Sequence, residues 1–126
     1  MTTVGVDLIE LDRIDSTVHR WGSRFLTRIY TEGELAFSKG RIPQLAGRFA
    51  AKEAVMKALG TGTRGVSWRE IEVVRTRGQA PQIQLQGRAA NRALHLGITN
   101  FLISISHSRD YAIAMVIGET IETRNC

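Results

Sequence analysis

The stretch from Pro43 to Gly60 constrains the fold more than any other part of the chain. It carries Ala46, Ala50, Ala51, Ala54 and Ala58. Alanine loses no rotamer freedom in a helix, and a proline in the first turn gives up no hydrogen bond. The pattern predicts a helix over 44–59, opened by Pro43 and ended by the flexible loop Gly60-Thr61-Gly62-Thr63-Arg64-Gly65. Small side chains lie on several sides of that helix, so other elements can pack closely around it. It is expected to be central rather than peripheral.

Val4-Gly5-Val6-Asp7-Leu8-Ile9 reads as a short buried strand that delivers a carboxylate, Asp7. A helix follows over 11–21, with Ile14, Val18 and Trp21 on its apolar face, and a second helical piece over 23–29. Thr31 and Glu34 fit a capping box, starting a helix that runs to about Lys39 and stops at Gly40. Strands are expected over 71–75 and 83–86, joined by a turn with Gly78 and Pro81. A helix over 87–96 then ends at Gly97. A hairpin closes the chain, 101–106 and 111–117, with His107-Ser108-Arg109-Asp110 at its turn. Helices early and antiparallel strands late indicate an α+β fold. One domain over 1–118 and a frayed tail over 119–126 are expected.

Bulk properties narrow the function. The 126 residues bury only about two thirds of their unfolded surface, so a partner subunit would add stability. Hydrophobic content is 43% with no run long enough to cross a bilayer, and the N-terminus lacks a secretory signal. The single cysteine, Cys126, excludes a disulfide framework and a thiolate metal cluster, which suits a reducing cytoplasm. Lys and Arg outnumber Asp and Glu by 17 to 12, which predicts an anionic partner. The basic residues are dispersed and aromatics are only 6%, so the stacking platform of a nucleic-acid binder is not expected. His19, His95 and His107 are not at zinc-ligand spacing.

Four features carry potential chemistry. Glu53 and Lys57 are four apart and share one helix face, which fits either a solvated ion pair or a site. Asp7 fits either a turn residue or, with a second carboxylate, a hard-oxygen site for Mg2+. Such a site is completed by water and substrate phosphate. Gly60-Thr61-Gly62 can turn amides toward phosphate oxygens, although a helix C-cap needs the same glycines. Ser104 to Ala112 places His107 at a hairpin tip.

Three segments together resemble the holo-acyl-carrier-protein synthase family of 4'-phosphopantetheinyl transferases. They are Gly5-Val6-Asp7-Leu8-Ile9-Glu10 with Arg13-Ile14, Leu45 to Ala54 continuing through Lys57 to Gly62, and Ser104 to Ala112. Glu70-Ile71-Glu72-Val73 also matches, while Gly78-Gln79-Ala80-Pro81 departs from the family's usual Gly-Lys-Pro turn. The resemblance implies transfer of phosphopantetheine from coenzyme A to a serine of an acyl carrier protein in fatty acid biosynthesis. Adenosine 3',5'-bisphosphate would be released. It implies Mg2+ on Asp7 and Glu53, catalysis by Glu53 and Lys57, and coenzyme A contacts from Arg48, Lys57, Gly60, Thr61, Gly62 and His107. It further implies helices packed on an antiparallel sheet, a homotrimer with sites at subunit interfaces, and carrier docking on Arg13, Arg24 and Arg28.

On that basis Mg2+ and Lys57 would stabilise the charge built on the phosphoryl oxygens, and a water held by Glu53 and the metal would take the serine proton. The competing expectations are a nucleic-acid-binding domain, suggested by the net charge of +5, and a catalytically silent coenzyme A or nucleotide binder.

Overall fold

The structure is a computed structural model, described here for residues 1–76 and 78–120. Two sheets and five helices make it up. Strand β1 (Thr2–Glu10) leads directly into α1 (Leu11–Trp21), followed by α2 (Ser23–Ile29) and α3 (Glu32–Ser38). The central helix α4 (Ile42–Leu59) comes next, then a 3-10 turn at Trp68–Glu70. The hairpin β2 (Ile71–Val74) and β3 (Gln82–Leu85), helix α5 (Gly87–Leu96), β4 (Asn100–His107) and β5 (Tyr111–Glu119) complete it.

Strands β1, β5 and β4 form an antiparallel sheet in that order, while β2 and β3 form a separate two-stranded sheet. Strand alternation gives the larger sheet two different faces. Ile9 of β1 and Ala112, Ala114 and Val116 of β5 are buried in the core beneath α4. Val4, Val6, Leu8, Ile113, Met115 and Leu102 face the other way and stay exposed.

Helix α4 lies across β1 and β5 with Leu45, Ala46, Ala50, Ala51, Ala54, Val55 and Leu59 fully buried. The fit is close enough that a Cβ on Gly5 would stand 1.9 Å from the carbonyl oxygen of Ala54. Glycine at position 5 therefore sets how near β1 and α4 approach, and so how near Asp7 comes to the helix. The capping box at Thr31 forms as expected: its hydroxyl accepts the Glu34 amide and Glu34 accepts the Thr31 amide.

Three expectations needed correction. Strand β1 begins at Thr2, because β5 offers partners as far as Glu119. Glu119 is thus not part of a frayed tail. It pairs with Thr2 and Asn100, and Thr120 is tied to Met1 and Gly97 through its amide and hydroxyl. The rest of the expected tail, 121–126, lies outside the described residues. Trp21 was placed on the apolar face of α1, yet it is 48% exposed. Ile14 is buried and Val18 packs on the core, but the core ends before the helix does, leaving Trp21 beyond it. Among the described residues no helix is long and apolar enough to cross a membrane.

Candidate active site

Asp7 sits on the α4-facing side of β1, between Gly5 and Ile9, in register with Ala114. Two residues after the close approach at Gly5, its carboxylate meets the side chains at positions 53 and 57 of α4. Lys57 Nζ donates to Asp7 Oδ1 at 3.2 Å and to the Val6 carbonyl at 2.9 Å. Lys57 is 55% exposed while Asp7 is 11% exposed, so the lysine covers the carboxylate from the solvent side. The helical spacing of Glu53 and Lys57 places both against Asp7. Lys57 is thereby bound to a carboxylate fifty residues away in sequence.

Burial raises the Glu53 carboxyl to about 7, helped by its hydrogen bond to Asp7 and by the negative charge there. Lys57 and Arg13 oppose the rise. Two facing carboxylates that cannot both ionise easily form a site in want of positive charge. Among the described residues no group of three or more His, Cys, Asp or Glu side chains could hold a metal. A two-carboxylate site of this kind suits Mg2+, which fills most of its octahedron with water and phosphate oxygens. A cavity of about 330 Å³ opens beside the pair, walled by Arg13, Ile14, Thr17, Phe25 and Phe49. Phe49 stacks on Trp68 at 4.9 Å, which holds that wall in place.

The other expected site residues lie elsewhere. Gly60 and Gly62 both adopt positive φ, and the Gly60 and Thr61 amides close α4 on the carbonyls of Lys57 and Met56. The Thr61 hydroxyl donates to the Gly62 carbonyl. Arg48 is on a different face of α4 from Glu53 and Lys57. Its guanidinium lies 4.3 Å above the Phe37 ring, and Nη1 donates to the Gln44 carbonyl and side-chain oxygens. Burial lowers its pKa, as do the nearby charges of Arg75 and Arg41, while Glu34 pulls the other way. His107 is exposed at the end of β4, opposite Ala112. Arg13, Arg24 and Arg28 are exposed on α1 and α2.

Sequence reasoning missed two contributors. Arg13, expected only as a docking residue, also acts on the Glu53 charge. Lys52 is fully buried, 2.7 Å from Glu34, and donates to the carbonyls of Trp68 and Ile71. Its position inside the Ala50-Ala51 run was the available signal, because a solvated lysine has no need of a buried neighbourhood.

Comparison with known proteins identifies the family. The family model of the 4'-phosphopantetheinyl transferase superfamily matches residues 3–116. A holo-[acyl-carrier-protein] synthase of Herpetosiphon aurantiacus is 48% identical over 125 residues, covering 94% of this chain and 98% of the relative. The crystal structure of Helicobacter pylori holo-[acyl-carrier-protein] synthase in complex with coenzyme A is similar with a TM-score of 0.84 at 32% identity, covering 92% of this chain and 99% of that one. That of Neisseria meningitidis gives 0.85 at 34% identity, covering 94% and 98%. With a strand carboxylate, a helix carboxylate and a lysine converging as they do, and with similarity along nearly the whole length, the chain belongs to the holo-[acyl-carrier-protein] synthase family of the 4'-phosphopantetheinyl transferase superfamily.

Proposed function

We propose that the protein transfers 4'-phosphopantetheine from coenzyme A to a serine of apo-acyl carrier protein, with Mg2+, releasing adenosine 3',5'-bisphosphate. The observation that carries this reading is the Asp7–Glu53 pair, two facing carboxylates from distant segments with Lys57 beside them. Bound Mg2+ would supply positive charge to the coenzyme A diphosphate. Asp7 and Glu53 are the residues to hold it, and its charge would favour their ionised forms. Lys57, half exposed at the rim, is placed to stabilise negative charge developing on the phosphoryl oxygens. Glu53 is also assigned as the proton acceptor, acting through a water on the serine hydroxyl.

Coenzyme A contacts are assigned to Arg48, Lys57, Gly60, Thr61, Gly62 and His107. Gly60 and Thr61 spend their amides on α4, so their part would be to shape the loop that offers the Gly62 amide. Arg48 faces away from the carboxylates within one copy. In a homotrimer with its sites at subunit interfaces, it would serve the coenzyme of a neighbouring site. The outward face of the β1-β5-β4 sheet, with Val4, Val6, Leu8, Ile113 and Met115 exposed, supports burial against further copies. Carrier docking is assigned to the exposed Arg13, Arg24 and Arg28, and a cytoplasmic role in fatty acid biosynthesis fits these substrates.

The test mixes the protein with coenzyme A, Mg2+ and apo-acyl carrier protein, and reads the carrier's intact mass. A phosphopantetheine adduct on the carrier serine is expected, absent with EDTA and strongly reduced in Asp7→Asn and Glu53→Gln. Full turnover by both variants, or no adduct from the wild-type protein, overturns the reading.

A further inference from the structure

The loop assigned to the coenzyme stands at the unfavourable end of its helix. Peptide dipoles aligned along a helix leave roughly half a negative charge at its C-terminus, where the last carbonyls point outward. Helix α4 ends at Leu59, and Gly60 to Gly62 follow at once. A phosphate approaching the Gly62 amide therefore meets the negative end of α4. The basic side chain of the last turn is Lys57, and its Nζ is already committed to Asp7 and to the Val6 carbonyl. Positive charge for the loop has to come from elsewhere in the fold.

It comes from α5. Arg92 Nε donates to the Leu59 carbonyl at 3.0 Å, across thirty-three residues of sequence. Among the described residues Arg92 has no acidic partner within salt-bridge distance. Gly60 lies in front of its guanidinium: φ there is +73°, and an added Cβ would stand 3.7 Å from Arg92 Nη2. The absent side chain leaves the guanidinium open toward the loop. Arg92 is half-buried, so its charge is screened less than that of a fully solvated arginine. A neutral donor would be enough to cap one carbonyl. Arginine spends Nε on the cap and still carries a full charge with its Nη donors.

We propose that Arg92 is a positioning residue for the coenzyme: its charge on the Leu59 carbonyl turns the C-terminal end of α4 into a surface that admits an anionic phosphate to the Gly60–Gly62 loop. This rests on the coenzyme A reading given above and adds to it a residue of α5 outside the assigned contacts. A full positive charge placed on a terminus worth roughly half a negative one reverses the sign of the local field. A neutral capping side chain would join the same two helices and leave the repulsion in place. Asp7, Glu53 and Lys57 take no part in this contact, so Arg92 acts on coenzyme binding and not on the chemical step.

The experiment uses the full chain and reads coenzyme A binding by calorimetry together with the kinetics of transfer to apo-acyl carrier protein. Arg92→Gln keeps a donor for the Leu59 carbonyl and removes the charge, whereas Arg92→Lys keeps both. Arg92→Gln is expected to raise the coenzyme A Kd and KM by about fivefold at low salt, with kcat and the carrier KM unchanged. That gap should close to within about twofold near 0.5 M NaCl, because screening weakens the interaction of the charge with the phosphate. Arg92→Lys should stay within about twofold of the wild type throughout. A purely structural cap moves the unfolding midpoint and leaves no such dependence on salt. An unchanged Kd in Arg92→Gln overturns the proposal, as does an equal loss in Arg92→Lys or a loss undiminished by salt. Should the wild-type protein bind coenzyme A with this pattern but form no carrier adduct, the transfer reading fails and the role of Arg92 stands. If it does not bind coenzyme A, both fall.

Discussion

Lys52→Met is expected to cost the fold about 3 kcal/mol, at the low end of what breaking a buried ion pair costs. Lys52 Nζ lies 2.7 Å from Glu34 Oε1, and neither side chain has any exposed surface. Burial lowers the Lys52 pKa, and the charge and hydrogen bond of Glu34 only partly restore it. The pair therefore does not recover all of its desolvation, so replacing it whole is cheap and halving it is not. Removing the lysine strands the Glu34 carboxylate in a closed site. Two donors remain to it, the amides of Val73 and Thr31, which is why the low end is expected. Against a typical stability of about 5–15 kcal/mol this is a large fraction, and it lowers the melting temperature by on the order of 10 °C.

The assay is urea unfolding at a fixed protomer concentration, which holds any contribution from subunit association constant between variants. Adding Glu34→Gln to Lys52→Met deletes the stranded charge but keeps a carbonyl oxygen for the Thr31 amide. The double variant should regain about 1 kcal/mol or more over Lys52→Met alone. A loss below about 1 kcal/mol, or a second change that adds to the first instead of relieving it, refutes the reasoning.

Gly5→Ala should destabilise by several kcal/mol and abolish transfer. The added Cβ meets the rigid backbone oxygen of Ala54 at 1.9 Å and must push β1, with Asp7, off α4. Gly47→Ala, whose Cβ meets only the Ile105 methyl at 2.9 Å, is expected to be milder, and thermal melts of the two variants check the order. In carboxyl-carbon NMR of the metal-free protein, one glutamate should titrate at about 7 and vanish from the titration in Glu53→Gln. Because this carboxyl is raised in the fold, its stabilising share is held below its unfolded value and lost as pH climbs toward 7. Added Mg2+ should move the titration to lower pH, and an unmoved curve counts against metal binding there. Met115→Lys, on the exposed sheet face, should shift sedimentation toward the monomer if copies associate through that face, and an unchanged profile excludes it.

Much of the site could be read from one dimension because it obeys two simple periods. Gly5, Asp7 and Ile9 share a side of β1 by strand alternation, and Glu53 and Lys57 share a side of α4 by helical spacing. What one dimension does not contain is the offset between these two elements. Whether residue 7 meets residue 53 depends on where α4 crosses β1, and that crossing is set by the backbone contact at Gly5 and Ala54. The facing of the two carboxyls and the raised titration of Glu53 follow from the crossing.

Periodicity gave no signal at Lys52 and misled at Trp21. Helix α4 is covered on one side by the three-stranded sheet and on another by β2, with the Trp68 carbonyl in reach of Lys52. Its buried residues include Lys52 as well as the alanines, so no polar stripe marks the lysine as inward. Helix α1 has a clear apolar face, but the core beneath it stops at Val18, and the period continues to Trp21 with nothing underneath. A hydrophobic pattern marks which side of an element is apolar, not how far its neighbour extends. An apolar residue one turn past the end of the core is therefore where a surface built for another molecule is to be sought, and a charged residue within an alanine run is where a buried ion pair is to be sought. In this chain the first is Trp21, and the second is Lys52, the residue just before Glu53.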